Sequence, residues 1–321
     1  MKDFSNYLLT LYRGAAEKSS AEFKDWALNE TKSLIPFDSC IWGAGSWTSG
    51  EPRIHSMHLN NIDGDFVASW MEHQHEDKLA RVMHSNNAHT FNIDVHADYS
   101  GTRIYESHCK RFSMEHILGT CAIDADSQLL NIMSLYRADS NQPFTEVERA
   151  LKEILFPHLI EAVRKNWLSN LPHLFPGNQR RNLNAIATCD SQGILQLAIP
   201  SFIEICRLEW PEWIGPILPD CVSQTIHNGE LTFVGARIAI CLSELDDIFL
   251  IRARPKIAAD ELSTRELEVA QMFARGDDYK SIAQTLLVSP STIRGHLSKI
   301  YTKLGVKEKA SLTAEIRRMT H

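Results

Sequence analysis

The sequence predicts an α+β body followed by a small all-α domain. Short strand-like segments alternate with helical segments through the first 254 residues, which is typical of α+β folds. From residue 261 onward, four short helical patterns follow one another without a strand-like segment. The length of 321 residues is itself enough for two or three domains.

The charge balance separates the same two parts. Residues 256–321 contain 11 Lys and Arg against 8 Asp and Glu, a balance of +3, whereas residues 1–255 contain 22 against 32, a balance of −10. The net charge of −7 therefore argues against a uniformly basic nucleic-acid coat protein. It indicates a short basic module attached to an acidic body.

The first predicted domain covers residues 1–168 and carries a helix at each end. Leu8 and Leu11 mark the apolar side of the opening helix, and a capping box between Thr145 and Glu148 begins the closing helix. Between them, strands are predicted over residues 40–43, 53–59, 119–123 and 129–136, and a helix over residues 65–83. Strands flanked by helices in this way resemble a sensor domain of the GAF or PAS type.

A second, smaller domain is predicted over residues 184–254. Residues 169–183 are expected to be a linker because Pro, Gly and Asn recur there. Strands over residues 186–190 and 193–197, a helix over 200–210, and strands over 231–242 and 248–253 follow the linker. This order resembles a reduced PAS domain, and residues 255–260 are the predicted linker to the last domain.

Residues 261–321 are predicted to form four short helices with clear boundaries. A capping box between Ser263 and Glu266 begins the first helix, and Gly276 ends it. The second covers residues 279–287, and the third covers residues 290–304 with Ser289 as its cap and Pro290 at its first position. Buried positions of the third helix repeat at helical spacing, namely Ile293, Leu297, Ile300 and Leu304. Gly305 ends that helix, and the fourth begins near Lys307.

The opposite face of the third helix carries basic and small polar side chains. A helix enters the major groove, which is about 12 Å wide, only if its leading face lacks bulky apolar groups. Two short helices joined by a tight turn, the second with such a face, are what a major-groove reader requires. A small bundle with a solvated lysine face is disfavoured, because caps, turn and polarity agree over about 60 residues.

These segments resemble the LuxR-type helix-turn-helix. The resemblance rests on LSTRELEV at 262–269, SIA at 281–283, VSPSTI at 288–293 and RGHLSKIYTKLGV at 294–306. It implies a sequence-specific bacterial transcription factor that binds double-stranded DNA as a homodimer, with RNA polymerase as a further candidate partner. A shorter segment, IPFDS at 35–39 followed by Trp42 and Gly43, resembles the opening of the sensory domain of larger LuxR-type regulators.

The resemblance also implies which side chains contact DNA. Arg294, Gly295 and Ser298 correspond to positions that face base edges, and the phosphate-facing set is Lys280, Thr292, Lys299 and Lys303; Ser291 completes the predicted surface. Gly295 has no side chain where relatives often carry one, so base reading is expected to depend on Arg294, whose guanidinium suits guanine O6 and N7. Lys309 stands where an arginine is usual, so a bidentate contact is not expected there.

The first domain is expected to bind a small molecule. Its ligand pocket is predicted from the large side chains available there: Trp42, Trp47, Phe66, Trp70, Met71, Phe91, Tyr99, Tyr105 and Phe112. Sensors of this family for acyl-homoserine lactones show a Trp, a spaced Tyr and Asp-Pro, and this chain has no Asp-Pro, so a lactone is disfavoured. A phosphorylated receiver domain is disfavoured because the chain opens with an amphipathic helix.

The predicted function is a cytoplasmic LuxR-type regulator whose DNA binding responds to a small-molecule signal. No catalytic motif, metal site, cofactor or apolar stretch of about 18 residues for a membrane span is recognised, and the scattered cysteines are typical of a reduced protein. Two alternatives remain open. In the first, the acidic body serves only as a dimerisation scaffold and DNA binding is constitutive. In the second, the His-rich segment senses metal or redox state, through the pair His55 and His58 or the pair His73 and His75.

Overall fold

The computed structural model describes residues 2–48, 51–174, 185–245 and 248–320. They form two compact units. The first consists of Met1–Leu174, Thr188–Ala198 and Ile214–Leu218, and the second of Phe175–Ala187, Ile199–Trp213 and Pro219–His321. The predicted linker 169–183 lies partly in a helix that ends at Leu174 and otherwise outside the described residues, and the domain limits stay predictions.

The first unit is built around a five-stranded antiparallel sheet. Its elements are α1 (Lys2–Glu17), α2 (Ser20–Lys32), β1 (Ser39–Thr48), β2 (Glu51–Asn60), α3 (Phe66–His73), α4 (Lys78–Ser85), β3 (Thr90–Asp94), α5 (Val95–Tyr99), β4 (His116–Ile123), β5 (Leu130–Arg137) and α6 (Glu146–Leu174). The strand order is β2-β1-β5-β4-β3. All four predicted strands are confirmed; β1, β2 and β4 are longer than expected, and β5 is shifted by one residue, whereas β3 and α2 were not predicted.

The two faces of this sheet have separate cores. Successive residues of β1 point to opposite faces, so Trp42 joins Leu11 and Phe156 in the core beneath α1, α2 and α6. Ile41 instead joins Phe66 in the core beneath α3, α4 and α5. The second core contains a cavity.

The helix predicted over residues 65–83 is wrong, because the chain breaks it near Asp77. A 3-10 turn at Gln74–Glu76 follows α3, and Asp77 takes an extended backbone conformation before α4. The Asp77 carboxylate accepts the amide of Ala80 at 3.2 Å and so caps α4. Periodicity alone does not reveal such a break, since both halves present apolar residues to the same core.

A second five-stranded sheet follows. Its elements are β6 (Ile186–Cys189), β7 (Leu195–Ala198), α7 (Pro200–Glu209), α8 (Asp220–His227), β8 (Thr232–Val234), β9 (Ile238–Leu245) and β10 (Ile248–Pro255), with strand order β7-β6-β10-β9-β8. The predicted strand over residues 231–242 is divided into β8 and β9 by a turn that begins after Val234. The α+β class of the N-terminal region is therefore confirmed, with two antiparallel sheets.

The C-terminal part is the predicted four-helix domain. It consists of α9 (Thr264–Arg275), α10 (Tyr279–Thr285), α11 (Pro290–Leu304) and α12 (Lys309–Thr320). Ser263 and Glu266 form the predicted capping box, and Gly276 and Gly305 take left-handed conformations that end α9 and α11. The four apolar residues of α11 are buried as predicted.

The junction between β10 and α9 is held by a charged pair. Arg254 donates to both carboxylate oxygens of Asp260 at 2.6 Å, and the Asp260 side chain is 2% exposed. One of those oxygens also accepts the amide of Ile257 at 2.8 Å. The predicted linker 255–260 is therefore ordered by a bidentate contact and leads into a 3-10 turn at Ala258–Glu261. No described helix is long and apolar enough to cross a membrane.

Candidate DNA-binding surface and ligand cavity

The turn between α10 and α11 is set by local capping. Asp278 caps α10 by accepting the amide of Ser281 at 2.8 Å, and Ser289 caps α11 by accepting the amide of Thr292 at 3.1 Å. Ser289 Oγ also lies 2.6 Å from Ser291 Oγ and 2.8 Å from Thr292 Oγ1. The hydroxyls of Ser291 and Thr292 are thus both ordered at the N-terminal end of α11.

All eight predicted DNA-contact residues lie on exposed positions of α10 and α11. They are Lys280, Ser291, Thr292, Arg294, Gly295, Ser298, Lys299 and Lys303. The Gly295 position is open, because a Cβ atom built there meets no atom within 4 Å outside the local helix backbone. Because Gly295 has no side chain, another molecule can approach the backbone of α11 closely beside Arg294.

The cations of this surface fall into two groups. Among the residues that the structure describes, no ion pair involves Lys280, Arg294 or Lys299. Lys303 differs, because its Nζ lies 2.6 Å from Glu266 Oε2 and 3.3 Å from the carbonyl of Glu261. Lys303 therefore joins α11 to α9, whereas Lys280, Arg294 and Lys299 form no ion pair among the described residues.

The Lys303 contact changes the electrostatics of the α9 cap. Glu266 is 6% exposed, and its carboxylate also accepts the amide of Ser263 at 2.9 Å. The bond from Lys303, followed by the amide of Ser263, lowers the pKa of Glu266 to about 2. The carboxylate therefore stays ionised through the neutral range and holds Lys303 beside it.

The first unit contains a cavity of about 100 Å³ between the sheet and the helices α3, α4 and α5. Four of the nine predicted pocket residues line it, namely Trp47, Phe66, Trp70 and Tyr99. Most of the remaining lining is aliphatic or sulfur-containing: Ile41, Ile54, Met57, Val67, Leu79, Met83, Ile104, Cys109, Met114, Ile117, Cys121, Leu130 and Ile132. The cavity therefore suits a small molecule that is largely apolar.

The other five predicted pocket residues lie elsewhere. Trp42 is on the opposite face of the sheet in the core with α1 and α6, and Met71 is 50% exposed. Phe91 and Phe112 pack at the edge of the cavity core, and the hydroxyl of Tyr105 contacts His96 Nδ1 at 2.9 Å. Sequence position placed all nine in one region, but strand alternation and helix rotation decide which side chains face inward.

Asp77 is a polar group of the cavity that the sequence analysis did not predict. Its carboxylate accepts the Trp70 Nε1–H at 2.8 Å and the Tyr99 hydroxyl at 2.8 Å. Burial and the adjacent carboxylate raise the pKa of Tyr99 well above its ordinary value, so the hydroxyl stays protonated. The helix break before α4 is what aims Asp77 inward; its sequence signal was an Asp at a capping position, three residues before Ala80.

His108 is a second polar group of the cavity. Its ring is 2% exposed, and Nδ1 lies 3.0 Å from the hydroxyl of Ser69. Burial lowers the pKa of His108 to about 4, with smaller contributions from His73 and Arg111. The ring is therefore neutral near pH 7 and offers one donor and one acceptor nitrogen rather than a charge.

The His-rich segment does not bring its histidines together as the metal alternative requires. His55 and His58 lie on β2, not on a helix, and each ring is engaged by a different polar side chain. His55 Nε2 contacts Ser46 at 2.9 Å, and His58 Nε2 contacts Asp25 at 2.9 Å. Among the described residues, no group of three or more His, Cys, Asp or Glu side chains is arranged around a common metal position.

Comparison with known proteins places residues 260–315 in one family. They match the family described as "Bacterial regulatory proteins, luxR family". Over 68 residues, the chain is 43% identical to the "Probable transcriptional regulatory protein NarL" of Mycobacterium tuberculosis. This match covers 21% of this chain and 32% of NarL. Over 51 residues the chain is 47% identical to the "Oxygen regulatory protein NreC" of Staphylococcus aureus, and this match covers 16% of this chain and 24% of NreC. The match thus spans about a third or less of these curated relatives.

Matches among solved structures cover more of the chain at lower identity. One is "SdiA in complex with octanoyl-rac-glycerol", at 13% identity and a TM-score of 0.40, covering 100% of this chain and 98% of that one. Another is an N-acylhomoserine lactone dependent LuxR family transcription factor, CepR2 of Burkholderia cenocepacia, at 15% identity and a TM-score of 0.39. It covers 51% of this chain and 95% of CepR2.

Proposed function

We propose that this chain, whose residues 260–315 are a LuxR-family helix-turn-helix domain, is a transcription regulator that binds duplex DNA as a homodimer. One observation carries the proposal. Within this domain, Lys280, Arg294 and Lys299 are exposed cations of the two helices of the motif, and none of them has an ion-pair partner among the described residues. The apolar face of α11 is buried in the core of the domain, so the exposed, charged face of α11 is the face that can contact DNA.

The DNA-binding proposal is tested with an operator selected from a random duplex library. Arg294→Ala is expected to weaken specific binding by about 1–3 kcal/mol and to relax preference at one base pair, because a bidentate guanidinium contact is lost. Lys299→Ala is expected to lower affinity evenly across sequences and to reduce the salt slope by about one. Binding measurements at several salt concentrations separate the two effects. An Arg294→Ala footprint unchanged in affinity and preference contradicts the assignment of Arg294.

We further propose that the cavity of the first unit binds a small, largely apolar molecule that modulates DNA binding. The lining supports an apolar body, and the Asp77 carboxylate supports a hydrogen-bond donor on the ligand. Ligand binding would shift the conformational population of the protein and so change its affinity for DNA. A lactone ligand stays disfavoured on the sequence pattern, and the cytoplasm stays the expected location.

The competing hypothesis is constitutive DNA binding with the body as a dimerisation scaffold. A thermal-shift screen with fractionated metabolite extracts distinguishes the two. A fraction that raises the melting temperature and also changes operator affinity supports a sensor, and Met83→Trp, which fills the cavity, is expected to abolish both effects. Leu9→Trp, on an exposed position of α1, is the matched control and should retain both. Stabilisation without any change in operator affinity contradicts ligand control.

A further inference from the structure

We infer that Tyr279 is a positioning residue for DNA reading, because its ring holds the guanidinium of Arg294 at the major-groove face. The Arg294 Cζ lies 5.6 Å from the centre of the Tyr279 ring. That separation is within the range of cation–π attraction. The inference rests on the proposed DNA-binding function, and it concerns how the base-reading side chain is prepared before DNA arrives.

Tyr279 is a fixed platform because it is itself stacked on the domain core. It is the first residue of α10, and its ring lies 5.8 Å from the ring of Phe273 with an angle of 22° between the planes. Phe273 belongs to α9 and is 7% exposed, so the lower ring is held by core packing. Tyr279 remains 40% exposed, which leaves room for a side chain above it.

Arg294 has no competing charged partner that would fix it in another place. No ion pair joins it to a carboxylate among the residues that the structure describes. An arginine with four rotatable side-chain bonds loses substantial conformational freedom when it docks on a base pair. A ring that already restricts those bonds reduces the loss on binding, which favours affinity and a defined direction of approach.

The position of Tyr279 also bears on how Arg294 discriminates between bases. Gly295, next to Arg294, offers no side chain for base reading, so discrimination depends more heavily on the direction of one guanidinium. The ring of Tyr279, at the start of α10, contacts the guanidinium of Arg294. We therefore expect Tyr279 to affect specificity more than the uniform, charge-dependent part of affinity.

The experiment is a double-mutant cycle on the full chain with the selected operator. Tyr279→Leu, which keeps apolar packing on Phe273, is expected to weaken operator binding about two- to fivefold and to reduce discrimination at the base pair read by Arg294. Tyr279→Phe keeps the ring and should bind as wild type. In the Arg294→Ala background, Tyr279→Leu should have no further effect, because the contact is already gone.

Two controls separate the possible failures. Gln284→Ala changes another exposed residue of α10 and should alter neither affinity nor discrimination. Thermal melting of each variant reports whether the domain stays folded, and the Tyr279→Phe variant keeps the inference testable if Tyr279→Leu melts early. Independent, additive effects of Tyr279→Leu and Arg294→Ala would overturn the positioning role. If the library yields no preferred operator for the wild type, the proposed function itself fails and this inference falls with it.

Discussion

At the residue scale, three lysines show how surroundings decide the role of one side-chain type. Lys299 is exposed and free of ion pairs among the described residues, which suits a phosphate contact. Lys303, one turn further along α11, is held by Glu266. Lys152 of α6 is 1% exposed and donates to Thr120 Oγ1 at 2.6 Å and the carbonyl of Met133 at 2.9 Å. Only the tertiary surroundings distinguish these three.

Lys152→Met is expected to stabilise the first unit near pH 7 by about 1–3 kcal/mol, because it removes a desolvated amine. Burial lowers the pKa of Lys152 from 10.5 to about 7, so the unfolded chain binds more protons between those values. The stability of the wild type should therefore rise with pH across that window, and the advantage of the variant should shrink. Denaturant unfolding at about pH 7 and about pH 9.5 measures this.

The control for this prediction is Lys165→Met, which changes an exposed lysine of the same helix. It should leave both stability and its pH dependence close to wild type. Burial raises the pKa of the Cys40 thiol from 9.0 to about 12, so this group lowers stability above about pH 9. Cys40 is present in both proteins, and its contribution cancels in the difference between the variant and the wild type. A Lys152→Met advantage that is equal at the two pH values would contradict the assignment of the pH effect to this amine.

At the element scale, long-range side-chain bonds hold the helices of the C-terminal domain in register. Glu266 at the start of α9 receives Lys303 near the end of α11, and Arg265 donates to the carbonyl of Leu286 at 2.7 Å at the end of α10. The helices themselves were predictable, because caps and stops are local features of the sequence. These cross-links were not, since 37 residues separate Glu266 from Lys303.

Lys303→Gln is expected to lower the stability of the C-terminal domain by about 1–2 kcal/mol, because a buried carboxylate loses its charged donor. The lowered pKa of Glu266 stabilises the fold above about 4.5, and that contribution is lost as pH falls towards about 2. The variant should therefore lose less stability than the wild type over that acid range. Thermal or denaturant unfolding across pH gives the comparison.

The same variant separates a structural lysine from a phosphate contact. Lys303→Gln should leave the salt slope of DNA binding close to the wild-type value at temperatures where the domain is folded. Lys299→Gln, on the exposed face of the same helix, is the matched variant and should reduce the slope by about one while leaving stability within about 0.5 kcal/mol. A reduced slope for Lys303→Gln with unchanged stability would instead support the predicted phosphate contact of Lys303 and contradict its structural role.

At the scale of the whole molecule, the change in charge sign coincides with the change from the α+β part to the helical part of the chain. The balance of −10 lies in the part with two sheets and the cavity, and the balance of +3 lies in the part with the helix-turn-helix. The junction before α9 is not a free tether, because Arg254 and Asp260 form a bidentate pair there. The second sheet and the helical domain are thereby connected by an ordered segment rather than by residues of undefined conformation.

The sequence by itself determined the features that depend on neighbouring residues. It specified the α+β class, the four C-terminal helices and the exposed face of α11, because caps, turns and apolar periodicity act within a few residues. Only the tertiary structure decided which side chains meet from distant segments: Asp77 with Tyr99, Lys303 with Glu266, and the burial of Lys152. Such contacts depend on strand alternation, helix rotation and close packing, which sequence spacing does not encode.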